Sequence, residues 1–167
     1  MADWQLAQFN IARLVAPFGD SRVQEFFDAL DAVNSLAEAS PGFVWRLKDE
    51  AGNATDIQAT VDPRMIINMS VWQDADTLFE FVYKSAHTPV MARRREWFDR
   101  SASSYQVLWW VAHGHEPSVD EGFARLWHLD HFGPTPHAFT FKARFPRPDM
   151  AGAPVDMEPD PWCLGNA

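Results

Sequence analysis

The stretch MIINMSVW at residues 65–72 decides the fold, because its side chains alternate as in a β-strand. One set, at positions 65, 67, 69 and 71, is uniformly apolar, whereas the other mixes Ile66 and Trp72 with the polar Asn68 and Ser70. A polar group within an apolar strand must be hydrogen-bonded or hydrated, since burying it unpaired costs about 1–3 kcal/mol. The mixed side of this strand therefore faces either a cavity or a polar seam that a partner chain or water satisfies.

Strands and helices follow one another in a regular order around this stretch. Alternation predicts further strands at residues 4–12, 43–48, 105–113 and 138–145. Apolar stripes predict one helix from residue 21 to the Pro-Gly pair at 41–42, a second that Asp74 or Asp76 caps, a third from the kink at Thr88-Pro89 to about Arg100, and a last one over 119–132. The first six elements have the β-α-β-β-α-β order of a ferredoxin-like α+β fold, an antiparallel sheet with helices on one face, here with an extra C-terminal helix and strand.

An apolar sheet face without helices would promote aggregation. We therefore expect two copies to pair through their helix-free faces, forming a homodimeric α/β barrel that encloses a hollow between the sheets. Gln8 and Asn10 lie on the strand that pairs beside residues 65–72 in this fold. With Asn68 and Ser70, they are predicted to line that hollow.

Composition limits the classes of function. The 167 residues carry 14 Lys plus Arg against 23 Asp plus Glu, and the formal charge of −9 argues against a nucleic acid or an anionic membrane as partner. No apolar run approaches the roughly 20 residues that cross a bilayer, and no secretion signal is visible, so we expect a cytoplasmic protein. A single cysteine, Cys163, excludes a disulfide framework. We expect one domain over residues 1–145 and a Pro-rich tail over 146–167.

Aromatic residues are unusually frequent, with 8 Trp and 13 Phe. Such side chains fill a core, cover a subunit interface or line a pocket for a flat ligand. Trp45, Trp72, Trp109 and Trp110 are candidates for stacking a planar ligand, and core packing is the alternative for each. Since Trp109 and Trp110 are adjacent in a strand, they must face opposite sides of the sheet.

Several blocks of the sequence resemble, in the same order, a bacterial family of uncharacterised function: WQLAQFNIA, PGFVWRL, MIINMSVW, FVYKSAH, RRREWF, VLWWV and GPTPHAFTF. That family belongs to the dimeric α+β barrel superfamily, alongside the antibiotic-biosynthesis monooxygenases. The resemblance covers residues 4 to 145. It implies the fold, but it brings no established reaction with it.

The monooxygenases of the superfamily suggest roles for individual residues. Some cofactor-independent members use Asn and Trp in the cavity to oxidise polycyclic phenols with O2. By this resemblance, Asn68 would orient the substrate oxygen, Trp72 would stack the aromatic ring and His87 would take a proton. Arg94, which shares a helix face with His87, would hold an anionic oxygen of the substrate.

The remaining expectations concern ligands and alternatives. Gln8, Asn10, Ser70, Trp45 and Trp110 are predicted to contact a small hydrophobic or aromatic substrate. We expect no metal and no resident cofactor, and the resemblance leaves open whether the protein is an enzyme or, if it is one, a monooxygenase-like oxidoreductase. The alternatives are a non-catalytic dimeric binding or stress-associated protein, and a haem protein with the histidine at position 87 as ligand, as in other superfamily members.

Overall fold

A computed structural model describes residues 3–50, 52–55, 57–100, 105–150 and 155–156. The elements, in chain order, are β1 Trp4–Arg13, α1 Ser21–Glu38, β2 Phe43–Arg46, β3 Met65–Trp72, α2 Ala75–Lys84, α3 His87–Ala92, α4 Arg94–Trp97, β4 Gln106–Ala112, α5 Val119–Phe132, β5 Ala143–Arg144 and β6 Val155–Asp156. No helix in these ranges is long and apolar enough to span a membrane.

The main sheet has the strand order β2-β3-β1-β4, and all of its pairs are antiparallel. This order confirms the predicted ferredoxin-like α+β fold. The register places Gln8 opposite Ser70 and Asn10 opposite Asn68. Because paired residues of an antiparallel sheet point to the same face, these four polar side chains share one face, as the alternation predicted.

Local capping fixes where α1 and α2 begin. The Asp20 side chain caps α1 by accepting a hydrogen bond from the Arg22 N–H at 2.9 Å. The side chain of Arg22 donates to the same carboxyl, and together these bonds lower the pKa of Asp20 to about 2. Asp74 and Thr77 form a capping box at the start of α2. Both helices thus start at carboxylates, which complement the positive end of the helix dipole.

Helices α1 to α4 lie over the sheet face that carries Gln8 and Ser70. On this face Leu6 and Trp72 pack with Leu78 and Val82 of α2 in a buried apolar cluster. The predicted long third helix is instead two short ones, because Arg93 between them leaves the α-helical conformation, with φ −90° and ψ 1°.

The opposite sheet face is covered by α5 of the same chain. Leu126 and Leu129 pack there against Phe9 and Trp109, which are fully buried. The part of this face on β2 and β3 lies under apolar residues of the segment between them. The expectation that this face is bare, and that two such faces enclose a hollow, is therefore wrong, because the apolar stripe of α5 takes the face within one chain.

Close contact makes one position of α5 specific for glycine. A Cβ atom built on Gly122 would lie 2.7 Å from the ring of Phe9, closer than real Cβ contacts. The missing side chain thus lets α5 approach β1 directly. The approach also brings the ring of Phe123 to 5.1 Å from that of Phe9, edge to face.

The strand predicted over residues 138–145 is not continuous in the structure. Phe139 makes an isolated bridge to Leu108, with two backbone hydrogen bonds of 2.8 and 2.9 Å, and the only strand in this segment is β5, which pairs with β6. Pro134 and Pro136 cannot donate backbone hydrogen bonds, so a longer ladder with β4 is not available on the N-terminal side of the bridge. Phe139 and Phe141 are nevertheless buried, and they close this end of the core.

Candidate functional site

A cavity of about 190 Å³ lies between the sheet and helices α1 to α4. Its floor is formed by β1, β3 and the start of β4, and its walls include Phe26 and Leu30 of α1, Phe81 of α2 and Met91 of α3. An apolar cavity of roughly 150 Å³ accommodates benzene. This cavity is therefore large enough for a ligand of one ring or, since it opens to solvent, two.

Three side-chain amides cross the floor of the cavity in one line. Asn68 on β3 is paired with Asn10 on β1, which is paired in turn with Gln106 on β4. All three residues line the cavity. We call Asn68, Asn10 and Gln106 the amide row.

A chain of hydrogen bonds lies behind the amide row. Trp72 Nε1 donates to Ser70 Oγ at 2.9 Å, Ser70 Oγ donates to Gln8 Oε1 at 3.0 Å, and Gln8 Nε2 donates to Asn10 Oδ1. Trp72, Gln8 and Ser70 are only 1%, 5% and 8% exposed. We call this series, from Trp72 to Asn10, the relay.

The relay has one direction. An indole N–H can only donate, so Ser70 accepts from Trp72, and the Ser70 hydroxyl donates in turn to the carbonyl oxygen of Gln8. The NH2 group of Gln8 is then directed to the Asn10 oxygen. The NH2 group of Asn10 remains for the cavity, and none of the described residues accepts from it.

Two arginines supply the only charges among the described residues that line the cavity. The Arg94 guanidinium lies 4.6 Å from the centre of the Tyr105 ring. The Arg46 side chain is only 11% exposed and is paired with Glu38, with an Nε–Oε1 distance of 2.9 Å. The described lining thus combines cationic donors and amides with apolar walls, and no carboxylate belongs to it.

The structure brings together six of the residues that the sequence predicted for the site: Gln8, Asn10, Asn68, Ser70, Trp72 and Arg94. They meet under the helices, not on a helix-free face, because α1 to α4 cover the mixed side of β3. His87 begins α3, and its side chain lies outside the described part of the structure.

Trp45 and Trp110 do not belong to the cavity, contrary to the prediction. Trp45 pairs with Val71 and packs into the core on the α5 side of the sheet. Trp110 is on the helix side, but its indole donates to the Phe145 carbonyl at 2.8 Å, at the end of the sheet remote from the amide row. Trp109 faces α5, so the prediction that the adjacent tryptophans face opposite sides is confirmed.

The ring of Trp72 is occupied by protein contacts. It stacks on Phe81, with centroids 5.1 Å apart and an interplanar angle of 25°, and meets Phe43 edge to face at 5.4 Å. With so little of the ring exposed, Trp72 anchors the relay more directly than it could stack a ligand.

Sequence reasoning missed Gln106 and Arg46. A signal for Gln106 was present, since it is the polar first residue of the apolar strand QVLWWVA and lies in register with Asn10. Arg46 has no comparable signal, because an arginine in a short edge strand is usually solvated.

The cavity does not fit haem. A tetrapyrrole is larger than the one or two rings that a cavity of about this size accepts, and none of the described lining residues is a histidine. Within the described ranges, no group of three or more His, Cys, Asp or Glu side chains could hold a metal ion.

Comparison with known proteins identifies a family. The sequence matches the family described as "Domain of unknown function (DUF3291)" over residues 5–154. This match confirms the resemblance to an uncharacterised family that the sequence blocks indicated. No curated protein matches the sequence.

Solved structures show only distant likeness. SnoaB from Streptomyces nogalater, described as a cofactor-independent oxygenase, is 18% identical, with a TM-score of 0.45 over 70% of this chain and 100% of that one. NE2512 from Nitrosomonas europaea, of unknown function, is 15% identical, with a TM-score of 0.42 over 70% and 95%. PA3566 from Pseudomonas aeruginosa is 12% identical, with a TM-score of 0.44 over 66% and 95%. Likeness at this level carries no information about activity.

Proposed function

The chain belongs to the DUF3291 family, a domain of unknown function, and on that premise we propose that it binds a flat, mostly apolar small molecule of one or two rings in the cavity under α1 to α4. The observation that supports this most strongly is the amide row on the floor of a cavity whose walls are largely apolar. Asn10 is half-buried and its NH2 group has no partner among the described residues, so a ligand oxygen in the cavity could accept a hydrogen bond from it.

The apolar walls and the polar floor would make different contributions to ligand binding. Aromatic and aliphatic side chains, among them Phe26 and Phe81, offer contact to a ring, and burial of apolar surface contributes about 25 cal/mol per Å². The amides would fix the ligand by an oxygen substituent. Few, well-placed polar groups within an apolar lining are typical of small-molecule sites.

The finer part of the proposal is oxidation of the bound molecule by O2, as in the cofactor-independent monooxygenases that the sequence resembles. The probe reaction is 1-naphthol plus O2 giving 1,4-naphthoquinone plus water, in which one oxygen atom enters the ring and the other leaves as water. Asn68 would hold the substrate oxygen and His87 would accept the phenolic proton. Trp72 would act through the relay.

Titration of the protein with 1-naphthol, followed by calorimetry, tests binding, and an oxygen electrode tests turnover. We expect saturable binding that Asn68→Ala weakens at least fivefold, because the amide meets the oxygen directly. Gln73→Ala is the matched control, since Gln73 is an exposed amide that follows β3 outside the cavity. Absence of saturable binding would overturn the proposal.

Measurement of turnover distinguishes the hypothesis of an enzyme from that of a non-catalytic binding protein. Oxygen uptake that is lost in His87→Ala and Asn68→Ala would support the monooxygenase assignment. Binding of the probe without any oxygen uptake would instead support the non-catalytic alternative.

The homodimer remains a proposal as well. Since α5 occupies the second face of the sheet, a dimer would bury a different surface, and Trp127 and Phe132 on α5 are large exposed side chains. Sedimentation velocity of the wild type and of Trp127→Ser measures the oligomeric state. A monomer at all concentrations would rule the homodimer out.

A further inference from the structure

We infer that the cavity selects ligands that present an acceptor oxygen, such as a carbonyl, phenolate or carboxylate, and discriminates against ligands that present only an N–H donor. The inference rests on the proposed function and names the class of ligand for that site. Ser70 and Gln8 are the positioning residues for this choice, and neither needs to touch the ligand.

The direction of the relay carries the argument. Trp72 begins the relay with a group that can only donate. Each hydrogen bond then sets which atom of the next side chain accepts and which donates. At the end, the Asn10 oxygen accepts from Gln8, and this bond holds the amide with its NH2 group directed to the cavity. A free asparagine could turn its amide to suit either kind of ligand, but this one is held.

The positive charge on the cavity wall also favours a ligand with an acceptor oxygen. Arg94 and Arg46 can only donate hydrogen bonds, and the described lining residues contain no carboxylate and no histidine that could accept one. This excess of donors contrasts with the chain as a whole, whose formal charge is −9. An oxygen that is partly or fully anionic would therefore find the cavity more favourable than the rest of the surface.

Asn68 and Gln106 do not set the preference. Neither amide has a side-chain hydrogen bond among the described residues, so each can rotate to complement whatever lies beside Asn10. They add affinity once the ligand is in place, whereas the relay decides which polarity is accepted.

Three bicyclic probes of similar size test the inference by calorimetric titration. Indane has neither donor nor acceptor, 1-indanone has only an acceptor oxygen, and indole has only an N–H donor. We expect the wild type to bind indane weakly, to bind 1-indanone more tightly, and to prefer 1-indanone over indole by about tenfold, since a site built for one hydrogen bond rejects the analogue that lacks it.

Trp72→Phe removes the donor that gives the relay its direction while keeping an aromatic ring in place. In this variant Ser70 and Gln8 can reverse, so the ratio between the two polar probes should fall to about twofold or less, whereas any change in the cavity wall affects both probes and is measured separately with indane. Trp109→Phe is the matched control, because it deletes the bond of 2.8 Å from the indole to Glu121 on the other sheet face and should keep the full ratio.

The outcomes separate this inference from the proposed function. If none of the probes binds the wild type, the proposed function fails. If indane binds but the wild type treats 1-indanone and indole alike, or if Trp72→Phe keeps the full ratio, the inference about polarity is overturned while the cavity remains a binding site.

Discussion

The substitution Ser70→Ala breaks the relay at its middle. Ser70 Oγ accepts from Trp72 at 2.9 Å and donates to Gln8 at 3.0 Å, and the residue is 8% exposed. Alanine takes nearly the same volume, so the packing hardly changes, but the indole N–H and the Gln8 oxygen lose their partner. Each such buried group costs about 1–3 kcal/mol. Because cavity water can hydrate Gln8, we expect the free energy of unfolding to fall by about 2 kcal/mol.

Urea unfolding followed by circular dichroism measures this loss. Ser35→Ala, at an exposed serine of α1, is the control and should stay within about 0.5 kcal/mol of the wild type. In a double-mutant cycle with Trp72→Phe, the two substitutions should couple by about 1 kcal/mol or more, since they remove the same bond. A loss below about 0.5 kcal/mol for Ser70→Ala, at an unchanged m-value, would refute the reasoning.

Two further predictions concern α5 and its surroundings. Gly122→Ala should destabilise the fold by about 1 kcal/mol in urea unfolding, because crowding against Phe9 outweighs the gain in helix propensity; a more stable variant would contradict the packing described. Burial, and then repulsion by Arg125, lower the pKa of His137, so the unfolded chain binds more protons near pH 6 and stability falls as the pH drops below about 6.5. His137→Gln should flatten this fall between pH 7 and 5, and identical slopes in the two proteins would speak against it.

Sequence periodicity sufficed for the sheet and for most of the cavity floor. The alternation in residues 65–72 and 4–12 separated the polar set with Asn68 and Gln8 from the apolar set, and the register of the fold brought them together. That part is predictable because the side-chain period of a strand is strict and one slip would bury the wrong set.

The choice of sheet face was not predictable from the strands alone. Both faces of β1 and β3 are largely apolar, so the strands do not show which face the helices cover. The apolar stripe of α5, with Leu126 and Leu129, packs on one of them and leaves the other to α1 to α4. Taking α5 as an appendage left one face bare, and the cavity was assigned to it. Trp45 and Trp110 were misassigned for a related reason, since an aromatic residue in a strand carries no mark that distinguishes a core contact from a ligand contact.

Isotope-filtered NMR of the labelled protein with unlabelled 1-indanone tests the central claim most directly. We predict nuclear Overhauser effects from the ligand ring protons to the side-chain NH2 group of Asn10 and to the ring protons of Phe26 and Phe81. Effects only to residues of α5 or to other surface positions, with none to Asn10, would contradict the claim that the helix-covered amide row is where the ligand binds.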